Sequence, residues 1–182
     1  MKIAVIGRGN VGGGLAQRWR SAGHDVTEIG KDGGDVSGAD AVLVAVPSVA
    51  IADALGKAEG IEGKIALDAT NHFQGERPPF ESLVHQVKSI TGGPVSKAFN
   101  LNFARIYNEI DKQQIRPSNL YCGDDEAREV TEQLIRDAGY EPTSAGGLEN
   151  ARLLEDSLQL LGAVSQAGGG QPFYRFWKPG EL

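Results

Sequence analysis

The stretch that restricts this chain most runs from Lys2 to Gly14, KIAVIGRGNVGGG. An apolar run, Ile3-Ala4-Val5-Ile6, enters Gly7-x-Gly9-x-x-Gly12, and a helical pattern follows from Val11 to Ala22 with Val11, Leu15 and Trp19 on one stripe. Strand, glycine turn and helix in that order turn a common glycine pattern into a dinucleotide signal. Gly7 permits the tight turn, Gly9 lets backbone approach a pyrophosphate, and Gly12 lets the helix press against the strand. The helix N-terminus adds free N–H groups and the positive end of a dipole.

The remaining pattern alternates. Strands are expected at His24–Ile29, Ala41–Val46, Lys64–Asp68, Val95–Phe99, Asn119–Cys122 and Tyr140–Ser144. Helices are expected from Ser48, as a cap, to about Lys57 with Val49, Ala52 and Leu55 on one side. Others follow from Phe80 to Ile90, from Asp124 or Asp125 to Ala138, and from Leu148 to about Ala167. This predicts an α/β fold: a Rossmann-like, doubly wound, mostly parallel sheet with right-handed crossovers and a small helical C-terminal part. Residues 1–145 would form the nucleotide-binding domain, and 146–182 a C-terminal helix with an aromatic tail. Two segments break the rhythm. Gly30–Gly38 holds four glycines and almost no apolar residues, so a loop or single turn is expected where a doubly wound fold usually has a helix. Asn100–Pro117 reads as a loop plus a short helix.

Composition narrows the partners. A net charge of -6 argues against a general nucleic-acid surface. No stretch approaches 18 apolar residues, and the N-terminus enters a strand without a signal-like run, so neither a membrane span nor export is expected. The single cysteine, Cys122, allows no internal disulfide and suits a reducing cytoplasm.

In such a sheet, ligands sit outside the carboxyl ends of the strands. The loops there are Gly7–Gly12, Gly30–Asp35, Val46–Ser48, Ala69–Phe73 and Phe99–Phe103, all facing one crevice. At the end of the second strand, Gly30-Lys31-Asp32 offers both signs of charge, and Lys31 favours the NADP phosphate over the NAD ribose. Lys97 and Asn100 can bind substrate or satisfy backbone groups. His72 can protonate a product or serve a structural role, His24 reads as a turn residue, His85 as a surface residue and Cys122 as buried and inert. No acid–base or nucleophile set stands out, and no metal-ligand spacing is present. That suits hydride transfer, in which the protein supplies binding and orientation.

Several stretches in order resemble the F420-dependent NADP oxidoreductase family: Gly7-Arg8-Gly9-Asn10-Val11-Gly12, Ala22 to Val26, Val44-Ala45-Val46-Pro47, Asp68-Ala69-Thr70-Asn71 and Val95 to Asn100. The likeness resumes at Cys122-Gly123-Asp124-Asp125 and runs from Ala145 to Leu148 and from Ala151 to Glu155. It implies a dimer that moves hydride between NADP(H) and the deazaflavin F420. It also implies that Arg8, Asn10 and Val11 line the pyrophosphate and ribose, with Lys31 near the family's phosphate-binding Ser-Arg site. Val46, Pro47 and Ser48 would face ribose or nicotinamide, and Asn71 would lie near the nicotinamide. The chain departs from the family at the missing second helix, at Leu101 in place of a threonine, in the Phe73–Phe80 loop and in its aromatic C-terminus. A flavin, a metal chelate or a small imine or carbonyl compound therefore stay open as acceptors, as does a non-catalytic NADP-binding sensor. The last helix carries two apolar stripes, Ala151-Leu154-Leu158-Leu161 and Leu153-Leu160-Val164-Ala167. One can face the sheet and the other a partner, expected to be a second copy. Phe173, Tyr174, Phe176 and Trp177 should pack on that mate or on the crevice rim, or stack on cofactor.

Overall fold

The computed structural model describes residues 1–73, 76, 78–177 and 179–180; Gln74, Gly75 and Arg77 of the expected Phe73–Phe80 loop, and Lys178, Glu181 and Leu182 of the tail, lie outside them. Its elements are β1 (Lys2–Ile6), α1 (Asn10–Ser21), β2 (Asp25–Ile29), β3 (Gly34–Asp35), β4 (Ala41–Val44), α2 (Ile51–Gly56), β5 (Ala58–Glu59), β6 (Ile65–Asp68), α3 (Leu83–Thr91), β7 (Val95–Lys97), β8 (Ser118–Gly123), α4 (Asp125–Asp137), β9 (Glu141–Ser144) and α5 (Ala151–Val164). Seven strands form one sheet in the order β2-β1-β4-β6-β7-β8-β9. Pairing is parallel from β2 through to β7, so five carboxyl ends share one edge. Among the described residues no helix is long and apolar enough to cross a membrane.

Alternation along the strands sorts the core into two layers. Ala4, Ile6, Val42 and Val44 face a cluster with Ile51 and Leu55 of α2, Leu83, Val84 and Val87 of α3, and Ala151 and Leu154 of α5. Ile3, Val5, Ala41 and Leu43 face the opposite cluster, with Leu15 and Trp19 of α1 and Leu134 and Ile135 of α4. Both faces of β1 and β4 are covered, which is why these strands are apolar with almost no polar alternation.

The expected helix gap is real. After β2 the chain turns at Gly30–Gly33, and the two-residue β3 pairs with β5 where a crossover helix would lie. Three local expectations shift. Ser48 makes no cap bond; residues 48–50 form a 3-10 turn, and Ile51 rather than the exposed Val49 joins Leu55 in the core. The strand expected to reach Phe99 ends at Lys97, because Phe99 has a left-handed φ of 63°. Burial explains how a bulky residue is held there. The Phe99 ring is nearly inaccessible and meets Trp19 edge-on at 5.8 Å, and its N–H donates to Asn119 Oδ1 at 3.2 Å. Finally, a 3-10 helix at Ala104–Lys112 lets the chain double back after β7, so β8 runs antiparallel to it, and β9 pairs parallel to β8.

Gly12 fixes how closely α1 sits on β1. A Cβ there would overlap the Gly7 carbonyl oxygen and press on Val5. Gly12→Ala should therefore lower the unfolding free energy by about 2 kcal/mol, as overpacking does, measured by urea denaturation. A change below a few tenths would mean that α1 can slide without cost.

Candidate functional site

Three features make the β1–α1 turn an anion cradle. Gly7 has φ 110°, and a side chain there would run into the Ala45 backbone, so the turn can close only on glycine. Gly9, at the helix N-cap, has φ -76° and nothing within 4 Å of its absent Cβ, so the space above it is open. No side chain caps α1 and its first turn holds no acid, which leaves the first amides and the positive dipole end to a ligand. Asn10 is exposed beside the turn, Val46 packs against Gly7, and Pro47 is exposed next to it.

Charge gathers at the end of β2. Arg8 does not lie along the turn: its Nη2 donates to the Glu28 carbonyl at 2.9 Å, and its guanidinium lies over Gly30, where any Cβ would crowd it. Lys31 is exposed in the turn closed by the Gly33 N–H on the Gly30 carbonyl (3.2 Å). The Glu28 carboxylate is occupied by Arg20 at 2.8 Å. Arg8 and Lys31 thus flank the position where an adenosine 2′-substituent lies in folds of this kind. The reach of Arg8 was not legible in sequence; a long cation followed 22 residues later by a glycine at the neighbouring strand end is the signal that could have suggested it.

Beside the turn lies a crevice of about 510 Å³, walled by the loops after β6 and β7 and by α5. Val11 belongs to both the nucleotide turn and the crevice. Apolar walls come from Ala69, Phe73, Phe99, Leu101, Phe103 and Leu158, and amides from Asn71, Asn100, Asn102 and Gln159. Two of those amides brace the loops. Asn71 Nδ2 donates to the Asn100 carbonyl at 2.7 Å, while Asn100 Nδ2 donates to Asn71 Oδ1 and to the Leu154 carbonyl, both at 3.1 Å.

Lys97 lies under this floor, fully buried. Its Nζ donates to Asp68 Oδ2 at 2.8 Å and the Thr70 carbonyl at 2.5 Å, and sits 3.1 Å from Glu155 Oε1. These three acceptors match its three donors, and they tie β6, β7 and α5 into one piece. Glu155 also accepts the Leu83 N–H at 2.8 Å and lines the crevice. The structure therefore gives Lys97 and Asn100 backbone and helix contacts that hold the crevice in shape.

The other titratable residues are placed as follows. His72 lines the crevice with Nδ1 3.3 Å from Ser48 Oγ, so the hydroxyl expected to cap α2 instead faces an imidazole. His24 is more than a turn residue: Nε2 meets Asp137 Oδ2 at 2.7 Å. His85 contacts Ser82 Oγ at 2.7 Å on α3. Burial pushes the Cys122 thiol up to about 12, so it stays protonated. No metal-binding cluster exists among the described residues. The aromatic tail returns to its own chain. Ser118 N–H donates to the Tyr174 carbonyl at 2.8 Å, and the Tyr174 hydroxyl donates to Asn102 Oδ1 at 3.2 Å, propping the crevice wall from behind. Phe176 and Trp177 remain exposed, as do Leu153, Leu160 and Val164 on α5.

No family model matches the chain, and no curated protein matches it. Solved structures do. A protein from an Arthrobacter species, provisionally assigned as an F420-dependent NADP-reductase, superposes with TM-score 0.82 at 24% identity, covering 98% of this chain and all of that one. A hypothetical protein from Sinorhizobium meliloti superposes at 0.67 with 23% identity, over 98% of this chain and 92% of that one. A reductive aminase from Aspergillus terreus, solved with NADPH4, cyclohexanone and allyl amine, gives 0.67 at 14% identity over 92% of this chain and 62% of its own. These likenesses carry the fold, which is Rossmann-like.

Two outcomes test the site's construction. Lys97→Met should destabilise the protein by about 3–5 kcal/mol, because it leaves buried carboxylates without their cation; adding Asp68→Asn and Glu155→Gln should recover part of that, read by chemical denaturation. Cys122 should resist a thiol reagent at pH 8 in the folded protein and react at once in denaturant; fast labelling of the native state would contradict its burial.

Proposed function

We propose that this protein is an NADP(H)-dependent oxidoreductase. The observation that carries the reading is the open, uncapped Gly7–Gly12 turn running directly, through Val11, into the crevice. The residues fit a dinucleotide. The space above Gly9 and the first amides of α1 take the diphosphate, and Arg8 with Lys31 takes a 2′-phosphate. Val46, Pro47 and Ser48 follow β4 toward the nicotinamide end, and Asn71 and Asn100 form the floor beyond it. The bound cofactor supplies a hydride; the chain binds it, orients it and shapes the space for the acceptor.

For the acceptor we favour a deazaflavin of the F420 type, supported by the ordered motif resemblance and by what the Arthrobacter structure is described as. A second reading, a small imine or carbonyl compound, is supported by the crevice lining. Among the described residues, His72 and Glu155 are its only ionisable side chains, and the rest is apolar or amide. A second copy of the chain, docked on the exposed Leu153, Leu160 and Val164 face of α5, completes the proposal as a homodimer in a reducing, cytoplasmic setting.

The test mixes protein, NADPH and F420 and follows the deazaflavin absorbance. Bleaching supports the first acceptor. NADPH binding with turnover only of a cyclic imine selects the second, and binding without turnover of any acceptor marks a sensor. Absence of NADPH binding removes the function altogether. For cofactor choice, Arg8→Ala and Lys31→Ala should each weaken NADPH about 10-fold, the scale of one charge-assisted contact, with little change for NADH. Equal losses for both nucleotides would place the 2′-phosphate elsewhere.

A further inference from the structure

We infer that His72 is a catalytic residue: the proton donor that accompanies hydride transfer in this crevice, with Ser48 as the group that positions it. The inference rests on the NADP(H) reading above and adds a step that the nucleotide cannot perform.

Reducing a C=N, a C=O or a conjugated ring by hydride needs one proton as well. The hydride brings its electron pair to the acceptor carbon. The double-bond pair moves to the acceptor nitrogen or oxygen, and that atom must take a proton. Buffer then restores the donor, so charge and atoms balance. Among the described residues, side chains able to give that proton inside the crevice are few. Glu155 is held by the Lys97 ammonium and the Leu83 N–H, and its side chain is 3% exposed. Lys97 is sealed below the floor with its three donors engaged. Asn71, Asn100, Asn102 and Gln159 do not titrate. An imidazole ring can give up and regain a proton, and that of His72 lines the crevice and is only partly buried.

Its placement suits the role. His72 lies near the start of the loop after β6, and Ser48 opens the turn after β4, so their contact spans the ends of two adjacent strands between the glycine turn and the crevice. With Nδ1 against Ser48 Oγ, the ring orientation is set. In the imidazolium form Nδ1–H donates to the Ser48 hydroxyl. Giving up the Nε2 proton leaves the neutral Nδ1–H tautomer, in which that donation persists, so Nε2–H is the one delivered. The charged groups facing His72 among the described residues both come from α5: Glu155, which shares the crevice, and Arg152, which shares the small hollow behind it with Ser82 of the α3 N-terminus.

The experiment uses the full chain and reads His72 directly. Its ring resonance is assigned by its disappearance in His72→Gln, and spectra are recorded with NADPH and with NADP⁺ at saturation. If His72 lies beside the nicotinamide, replacing the neutral ring with the cationic one should move its resonance, while those of His24 and His85 stay fixed. An unmoved His72 signal with both nucleotides bound overturns the proposal and leaves the NADP(H) reading standing. Failure of either nucleotide to bind overturns both. As a kinetic arm, with F420 or 1-pyrroline as acceptor, His72→Gln should lower kcat about 100-fold with NADPH affinity unchanged, added imidazole should restore part of the rate, and Ser48→Ala should fall between. Equal rates for wild type and His72→Gln on an acceptor that turns over would also refute the role.

Discussion

The structure depends on two missing methyl groups. At Gly7 and Gly12 the backbone of the β1–α1 turn comes so near its neighbours that no Cβ fits: Gly7 faces the Ala45 backbone at the end of β4, and Gly12 faces the Gly7 carbonyl. These contacts set where α1 starts, and hence where its uncapped amides point. Gly9 is the complement. It has an ordinary φ and empty space beside it, so nothing in the fold demands glycine there. Two glycines serve the backbone and the third keeps room for a ligand. That division of labour is the strongest physical ground for a bound anion at this turn.

The same economy governs the crevice. An ammonium, two carboxylates and a carbonyl meet at Lys97, sealed from water, and pull two strand ends and α5 together. Buried ion pairs add little net stability but penalise any arrangement that separates them. The loops above are cross-braced by Asn71 and Asn100, and the wall at Asn102 is propped by the tail through Tyr174. Phe99 holds a left-handed conformation in that wall at a cost of about 1–2 kcal/mol, sustained by Trp19 and Asn119. A shaped, rigid space beside an anion cradle is what two-substrate hydride transfer requires.

Much of this was legible in the sequence because it is local or periodic. The glycine turn, the apolar parallel strands and the absent helix at Gly30–Gly38 follow from residue spacing alone. What escaped depends on pairs far apart in the chain. Lys97 has partners 29 and 58 residues away, Ser48 and His72 are 24 apart, and Arg8 reaches Glu28. Periodicity does not encode such contacts. The reversal of β8 was hidden for a related reason: a 3-10 helix gives too weak a pattern to reveal whether the chain crosses over or turns back. The tail's apolarity was visible and set a second copy, the crevice rim or the cofactor as its expected neighbours; the hydrogen bonds to Ser118 and Asn102 that hold Tyr174 behind the crevice wall were not visible.

One measurement bears on the centre of this account: a crystal structure of the protein with NADP⁺. The diphosphate should rest over Gly9 on the first amides of α1, the 2′-phosphate between Arg8 and Lys31, and the nicotinamide between Ser48 and Asn71 with its reactive face open to the crevice. A nucleotide bound with its diphosphate away from Gly9, or with its nicotinamide turned away from the crevice, would contradict it.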